Sequence, residues 1–390
     1  MVKKRRNANV EISREKRWKK WICSLSLLLF IVVCTISGRA YALPDIHAQA
    51  YALVEASTGR ILLQSNAGEH LPMASTTKIM TCILAIENGN LDTIVQVPDE
   101  AVGIEGSSIY LQYGETISLR ELLYGLMLAS GNDAAVTIAV HIAGSIEAFA
   151  EMMNQKSVEI GAVDTHFVTP NGLPDENHYT TARDLALISA YAMQNETFRQ
   201  IVGTSSMDLT QDDDSPARYL RSKNKILYQY DGGNGIKTGY TKAAGKCLSA
   251  GALRENMQLI AVVLNDGNMF EDCYKLLDYG FEQYSMQNVA QQGEELGVLG
   301  VQNGVVDQVK IAVNEEIALP LQPEEYKIVK RKINLVSQVQ APVYCGMVVG
   351  SVEFWLEGTL YAAADIVATQ DVAENTYEYN LSKIIEKWVG

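Results

Sequence analysis

The chain reads as an α/β protein in which an antiparallel sheet is flanked by helices and carries a helical subdomain, with a small all-β domain following it. Three observations predict this. A strand pair near residue 50 is separated by a long helical stretch from three further strand-like runs. The apolar period changes from helical to two after the polar segment "QDDDSP" (211–216). Beyond about residue 295, short alternating runs are punctuated by Gly and Pro.

The first 42 residues stand apart. Ten Lys/Arg face two Glu there, a 17-residue apolar stretch runs from Trp21 to Ser37, and Ala40-Tyr41-Ala42 has the small-x-small form of a processing site. Basic start, apolar middle and small-residue exit make an export signal cleaved after Ala42, with a retained membrane anchor as the other reading. Residues 50–64, "AYALVEASTGRILLQ", are two strands around Ser57-Thr58-Gly59. A helix is expected over 75–87, with Ile79, Ile83 and Ile86 near one face and Asn88-Gly89-Asn90 as its stop. Two more helices, 118–128 and 133–143, are separated by the tight break Ser130-Gly131-Asn132. Thr181 through Asp184 opens another as a capping-box variant. Strands follow at "GIKTGYT", "CLSAGALR" and "MQLIAVVLN", and "FEDCYKLLDYGFEQY" is an amphipathic helix. If these strands and the first pair share one sheet, the two ends of a domain spanning 43–285 meet in it.

Residues 286–368 form the β-rich domain, in which Val309/Ile311/Val313, Ile333/Leu335 and Val352/Phe354/Leu356 alternate with polar residues. The tail, 369–390, places Leu381, Ile384, Ile385 and Trp388 at helix spacing. It reads either as a helix docked on its own protein or as an amphipathic helix lying on a membrane surface.

Charge and composition exclude some functions. Residues 43–390 hold 22 Lys/Arg against 44 Asp/Glu. Such an acidic body repels phosphates, so no nucleic-acid partner is expected. Cys82, Cys247, Cys273 and Cys345 are too scattered for a disulfide framework, and Cys82 reads as a buried small hydrophobe. The five His form no ligand cluster, so neither a metal nor another cofactor is expected.

Three short motifs carry the chemistry. In "LPMASTTKIM", Ser75 and Lys78 stand three apart, on one helix face. They are either a cap with an exposed lysine or a nucleophile beside its base, because a serine hydroxyl needs a base within hydrogen-bond reach. A helix N-terminus, desolvation or a nearby cation would push the lysine towards its neutral form. At the helix junction, Ser130 could relay a proton and the Asn132 amide could engage a substrate amide; the alternative is a plain turn. Lys237-Thr238-Gly239 lies on a strand. There a lysine and a hydroxyl could bind a carboxylate and a glycine could admit an extended peptide, unless the lysine simply points to solvent.

S-x-x-K, then S-G-N, then K-T-G, downstream of an export signal, is similar to the motif set of penicillin-binding proteins and class A β-lactamases. With "NGLPDENHYTTARDLA" (171–186) and "GIKTGYTKAAG" (235–245), the chain resembles the low-molecular-weight penicillin-binding proteins of the serine-type D-alanyl-D-alanine carboxypeptidase family. The resemblance implies a β-lactamase/transpeptidase-like fold. It implies a stem peptide of peptidoglycan as substrate, an acyl-enzyme on Ser75, β-lactams as covalent ligands, and action outside the cytoplasm in the cell envelope. It makes Lys78 the base and Ser130 the relay. It gives Asn132, Lys237, Thr238, Gly239 and Tyr240 to substrate binding, with the backbone N–H groups of Ser75 and Tyr240 as oxyanion hole. Two departures stand out: Tyr240 replaces a His that some relatives carry, and "LNDGNMFEDC" (264–273) lacks an Arg that others place there. His178 reads first as a loop residue. A β-lactamase-like hydrolase would need a deacylating Glu, for which Glu176 lacks the expected pattern. A non-catalytic wall-binding protein of the same fold is opposed by the intact motif residues.

Overall fold

The structure is a computed structural model and describes residues 43–209 and 218–389. The export-signal reading, and most of the polar loop after residue 209, lie outside the described residues. Strands β1 (Ala50–Glu55) and β2 (Ile61–Ser65) form the expected hairpin. Its turn is closed by the buried Glu55 carboxylate, which accepts hydrogen bonds from the backbone N–H groups of Ser57 (2.9 Å) and Thr58 (3.0 Å). A 3-10 turn, Ala74–Thr77, leads into α1 (Lys78–Asn88). A short antiparallel pair, β3 (Ile94–Gln96) and β4 (Thr116–Ser118), precedes α2 (Leu119–Leu128). Ser118 and Glu121 make a full capping box at its start, satisfying two of the otherwise unpaired first-turn donors. Next come α3 (Asn132–Ala143), α4 (Ile146–Ile160), α5 (Ala182–Gln194) and α6 (Glu196–Gly203). The Thr181 side chain caps α5 by accepting from the Asp184 N–H at 3.1 Å. Helix α4 was not anticipated from sequence.

After the hairpin β5 (Ser206–Leu209) and β6 (Arg218–Arg221) and the turn α7 (Ile226–Gln229), three strands follow. They are β7 (Gly233–Thr241), β8 (Gly245–Arg254) and β9 (Met257–Leu264), and α8 (Met269–Gln283) closes the block. The sheet order is β2-β1-β9-β8-β7, so β1 pairs with β9 from Ala50↔Leu264 to Glu55↔Leu259 and the two ends of this domain do meet. The strand side chains divide cleanly. Ala52, Val54, Ile260 and Val262 pack with the helical body, while Leu53, Leu259, Ala261 and Val263 pack with Cys273, Leu276 and Leu277 of α8. A sheet covered on both faces needs a continuous apolar run, which is what β9 supplies. Each fully buried Leu or Val adds about 1.5–3 kcal/mol of transfer free energy.

The C-terminal part holds β10 (Ser285–Ala290), β11 (Glu295–Gln302), β12 (Gln308–Val313), β13 (Ile317–Leu321), β14 (Lys330–Leu335), β15 (Val339–Gln340), β16 (Val348–Leu356) and β17 (Thr359–Ala368). Six of these form a sheet in the order β14-β16-β17-β12-β11-β15, and β10 pairs with β13. Val309, Ile311, Val313, Val352, Phe354 and Leu356 are buried, as their alternation predicts. Ile333 and Leu335 are not: they are 45% and 41% exposed, because β14 is the sheet's edge strand. Helix α9 (Tyr377–Val389) ends the chain, and its apolar residues are uncovered, Trp388 being 88% exposed. The docked-helix reading of the tail therefore does not hold. Cys82, Cys247, Cys273 and Cys345 are free thiols, the first three buried. Among the described residues no single helix is long and apolar enough to cross a membrane.

Candidate active site

Ser75 lies in the 3-10 turn and not in an α-helix that begins with it. Ala74 before it has φ 49°. In a 3-10 turn residues i and i+3 eclipse, which sets Lys78, the first residue of α1, directly over Ser75. Lys78 is fully buried, and its Nζ stands 3.0 Å from Ser75 Oγ. It also donates to Asn132 Oδ1 at 2.7 Å and to the backbone carbonyl of Asn171 at 2.6 Å. No carboxylate touches it among these partners. Burial, and secondly the charge of Lys237, hold its ammonium pKa well below the ordinary lysine range.

The α2–α3 junction brings in the second motif. Ser130 sits there at φ 65° and is 8% exposed, and Lys78 makes no hydrogen bond to it. Asn132 starts α3; its Nδ2 donates to the Glu105 carbonyl at 2.6 Å, which orients its oxygen towards Lys78. The next residue, Asp133, organises the facing loop. Its buried carboxylate accepts from Ser108 Oγ at 2.6 Å and from the N–H groups of Ile109 and Leu111 at 3.0 Å. Sequence reading passed over Asp133; its place inside an apolar helix was the available signal.

Strand β7 brings the third motif. Lys237 is 2% exposed and donates to the Thr238 carbonyl at 2.9 Å. Burial, and then the charge of Lys223, push its ammonium down to about 7. Gly239 has a use that the sequence did not suggest. A Cβ there would stand 3.0 Å from both Met73 O and Ser75 N, so the glycine lets β7 lie directly on the nucleophile turn. Tyr240, the next residue, is 66% exposed at the rim.

The segment 166–181 closes the back. A Cβ on Gly172, which has φ 85°, would stand 1.9 Å from Ala74 O. Only glycine fits, and this close approach delivers the Asn171 carbonyl to Lys78. The Asn-Gly pair was the signal for a tight turn, though not for this carbonyl. His178 is a tie in this segment. Its Nδ1 accepts from Val168 N at 3.0 Å, so the proton is on Nε2, which donates to Thr77 Oγ1 at 2.8 Å. Burial lowers its pKa to about 4, keeping the ring neutral, in keeping with a structural role.

These elements surround a cavity of about 760 Å³. Ser75, Asn132 and Tyr240 line it; Lys78 and Lys237 are not among its lining residues, but the buried Lys78 reaches three that are, Ser75, Asn132 and Asn171. Its charged lining residues are Glu105, Lys223 and Lys242. Such an arrangement can do nucleophilic acyl transfer: a hydroxyl, a weakened amine beside it, and a second buried lysine, Lys237, for an anionic substrate.

Comparisons with known proteins bear on the family and the fold. A family described as D-alanyl-D-alanine carboxypeptidase matches residues 38–268, and one described as penicillin-binding protein 5, C-terminal domain, matches residues 284–374. The D-alanyl-D-alanine carboxypeptidase DacF of Bacillus subtilis is 31% identical over 93% of this chain and 97% of its own length. Penicillin-binding protein 5 from Haemophilus influenzae superposes with a TM-score of 0.69 at 30% identity, covering 86% of this chain and all of that one. PBP3 from Streptococcus pneumoniae, described as a peptidoglycan synthesis regulatory factor, reaches a TM-score of 0.75 at 26% identity, covering 84% of this chain and all of that one. Motifs, fold and likeness over nearly the full length agree, and the chain belongs to the D-alanyl-D-alanine carboxypeptidases, serine-type hydrolases of the low-molecular-weight penicillin-binding class.

Proposed function

We propose that the reaction runs through an acyl-enzyme on Ser75, with Lys78 as its base. The observation that carries this is the 3.0 Å contact between Lys78 Nζ and Ser75 Oγ inside a site that disfavours the charged amine. Two carbonyl oxygens, those of Asn132 Oδ1 and Asn171, can only accept, so they take the two N–H bonds of a neutral amine. The lone pair is then left for the Ser75 hydroxyl proton. Ser75 Oγ attacks the carbonyl between the two terminal D-alanines of a stem peptide, and its proton passes to Lys78. The backbone N–H groups of Ser75 and Tyr240 take the developing oxyanion. Ser130 relays the proton to the departing amine, the C–N bond breaks, and D-alanine leaves. Water, deprotonated in turn by Lys78, releases the shortened peptide.

Lys237 and Thr238 hold the terminal carboxylate. Lys223, in the cavity lining and close enough to act on Lys237, adds a second positive charge. Asn132 spends one Nδ2 hydrogen on Glu105 and keeps a second for a substrate carbonyl. Gly239 lets the substrate pair along β7. A β-lactam presents the same carbonyl and carboxylate and acylates Ser75 as a long-lived adduct.

The family's work on peptidoglycan lies outside the cytoplasm, which agrees with reading residues 1–42 as an export signal. The exposed face of Leu381, Ile384, Ile385 and Trp388 suits a helix lying on a membrane surface. Sedimentation with lipid vesicles, with and without residues 376–390, tests that point. The test of the reaction is mass spectrometry of a pentapeptide ending in D-Ala-D-Ala. Loss of one alanine by the wild type and none by Ser75→Ala is expected, with penicillin labelling lost in the same variant. An unchanged peptide, or labelling that survives Ser75→Ala, would overturn the assignment.

A further inference from the structure

The cavity holds about 760 Å³, and its charge is unlike the rest of the molecule. Residues 43–390 carry two acids for every base, yet the cavity lining holds two lysines and one acid. The neighbouring lysines of this region are engaged: Lys246 donates to the Gly267 carbonyl at 3.0 Å and Lys225 stacks on Phe270. Lys223 and Lys242 are exposed and have no ion-pair partner among the described residues. Lys223 lies near enough to Lys237 to lower its pKa, which places it with the terminal carboxylate. Lys242 is left without a task.

Its position suggests one. It is the first residue beyond β7, and from Lys237 to Thr241 the strand rises about 13 Å. A peptide extended along β7, with its scissile carbonyl at the Tyr240 N–H and its last carboxylate one residue further back, turned to the Lys237 ammonium that reaches forward to Thr238, continues towards Lys242. An extended chain advances about 3.3 Å per residue, so the residue before the penultimate D-alanine comes level with Thr241 and Lys242.

Building on the acyl-enzyme reading above, we propose that Lys242 is a specificity residue that binds a second carboxylate, one carried by the stem peptide just upstream of the two D-alanines. The enzyme then prefers stem peptides whose upstream acid is free over those in which it is amidated. An exposed ion pair of this kind shifts KM by about 1.4- to 5-fold and leaves kcat nearly unchanged, and salt weakens it.

The experiment uses two synthetic peptides ending in D-Ala-D-Ala that differ only in a carboxylate or a carboxamide on the preceding side chain, with D-alanine release as readout. The wild type should show the lower KM for the acid. Lys242→Glu should reverse the preference, Lys242→Arg should keep it, and a short N-acetylated substrate with a neutral upstream residue should be cleaved alike by all three. Equal KM values for acid and amide in the wild type, or an acid preference that survives Lys242→Glu, overturn the proposal alone. No D-alanine released from either peptide would instead bring down the acyl-enzyme reading and this proposal with it.

Discussion

Two regions of the molecule bury a cation, and they treat it in opposite ways. At the seam between the catalytic part and the β-rich part, Arg60 is 7% exposed. Its guanidinium meets the Glu325 carboxylate in a two-pronged pair, one prong at 3.0 Å, and donates to the Pro320 carbonyl. The rings of Tyr284 and Tyr361 lie 5.4 Å from it on their centroids. Burial works against that charge, but Glu325 outweighs it and raises the Arg60 pKa further. In the cleft, Lys78 is fully buried but hydrogen-bonds to carbonyls and a hydroxyl in place of a carboxylate; Lys237 opposes its charge, and Asp133, which it does not hydrogen-bond, favours the charge too little to offset burial. A buried cation given an acid stays charged and acts as a bolt. One given only neutral acceptors is driven towards its free base and becomes a reagent.

The comparison breaks most severely at Lys78. Lys78→Ala should slow acylation by labelled penicillin by about 10²–10⁴-fold, the usual range for losing a positioned base. Lys78→Arg should not recover the rate, because guanidinium does not deprotonate. Wild-type acylation by either variant would remove the base from the mechanism.

The seam should fail in the other way. Arg60→Ala leaves the Glu325 carboxylate partly buried without its partner and should cost about 3 kcal/mol of stability, read as a lower denaturation midpoint. The acylation rate of the folded enzyme should stay within about two-fold of wild type, since Arg60 is absent from the cleft lining. A large fall in that rate with unchanged stability would show that the seam sets the active-site geometry.

The smallest effect sharpens the comparison within the cleft. Lys237, at about 7, must be protonated to hold a carboxylate, so kcat/KM should fall as pH rises through that value. In kcat the fall should come at higher pH, because bound carboxylate favours the charged form. Lys223→Gln removes a repelling charge, raises the Lys237 pKa and moves the descending limb of kcat/KM upward by less than about one pH unit, since burial is the larger cause. A limb that stays in place, or moves to lower pH, would sever Lys223 from Lys237.

Much of the catalytic part was legible because its signals are local. Ser75 and Lys78 are three residues apart, Thr181 caps α5 within one turn, and the β1–β2 hairpin announces itself at Ser57-Thr58-Gly59. Local pattern misled where a residue's surroundings decide its fate. Ile333 and Leu335 alternate like core residues yet lie on an edge strand, and the tail helix has the spacing of a docked helix with nothing docked on it. Gly239 was read as room for substrate, although the first thing it makes room for is the Ser75 turn.

By itself, then, the sequence determined which residues could do chemistry and that Thr181 caps a helix, and it offered a sheet shared by both ends of one domain only as a condition. Tertiary structure alone decided the protonation of Lys78 and Lys237, the delivery of the Asn171 carbonyl by Gly172, and the Arg60–Glu325 bolt across 265 positions. Spacing and period are properties of neighbours along the chain. The pKa of a buried amine is instead set by solvent exclusion and by groups that arrive from far away in sequence, and those exist only once the chain has folded.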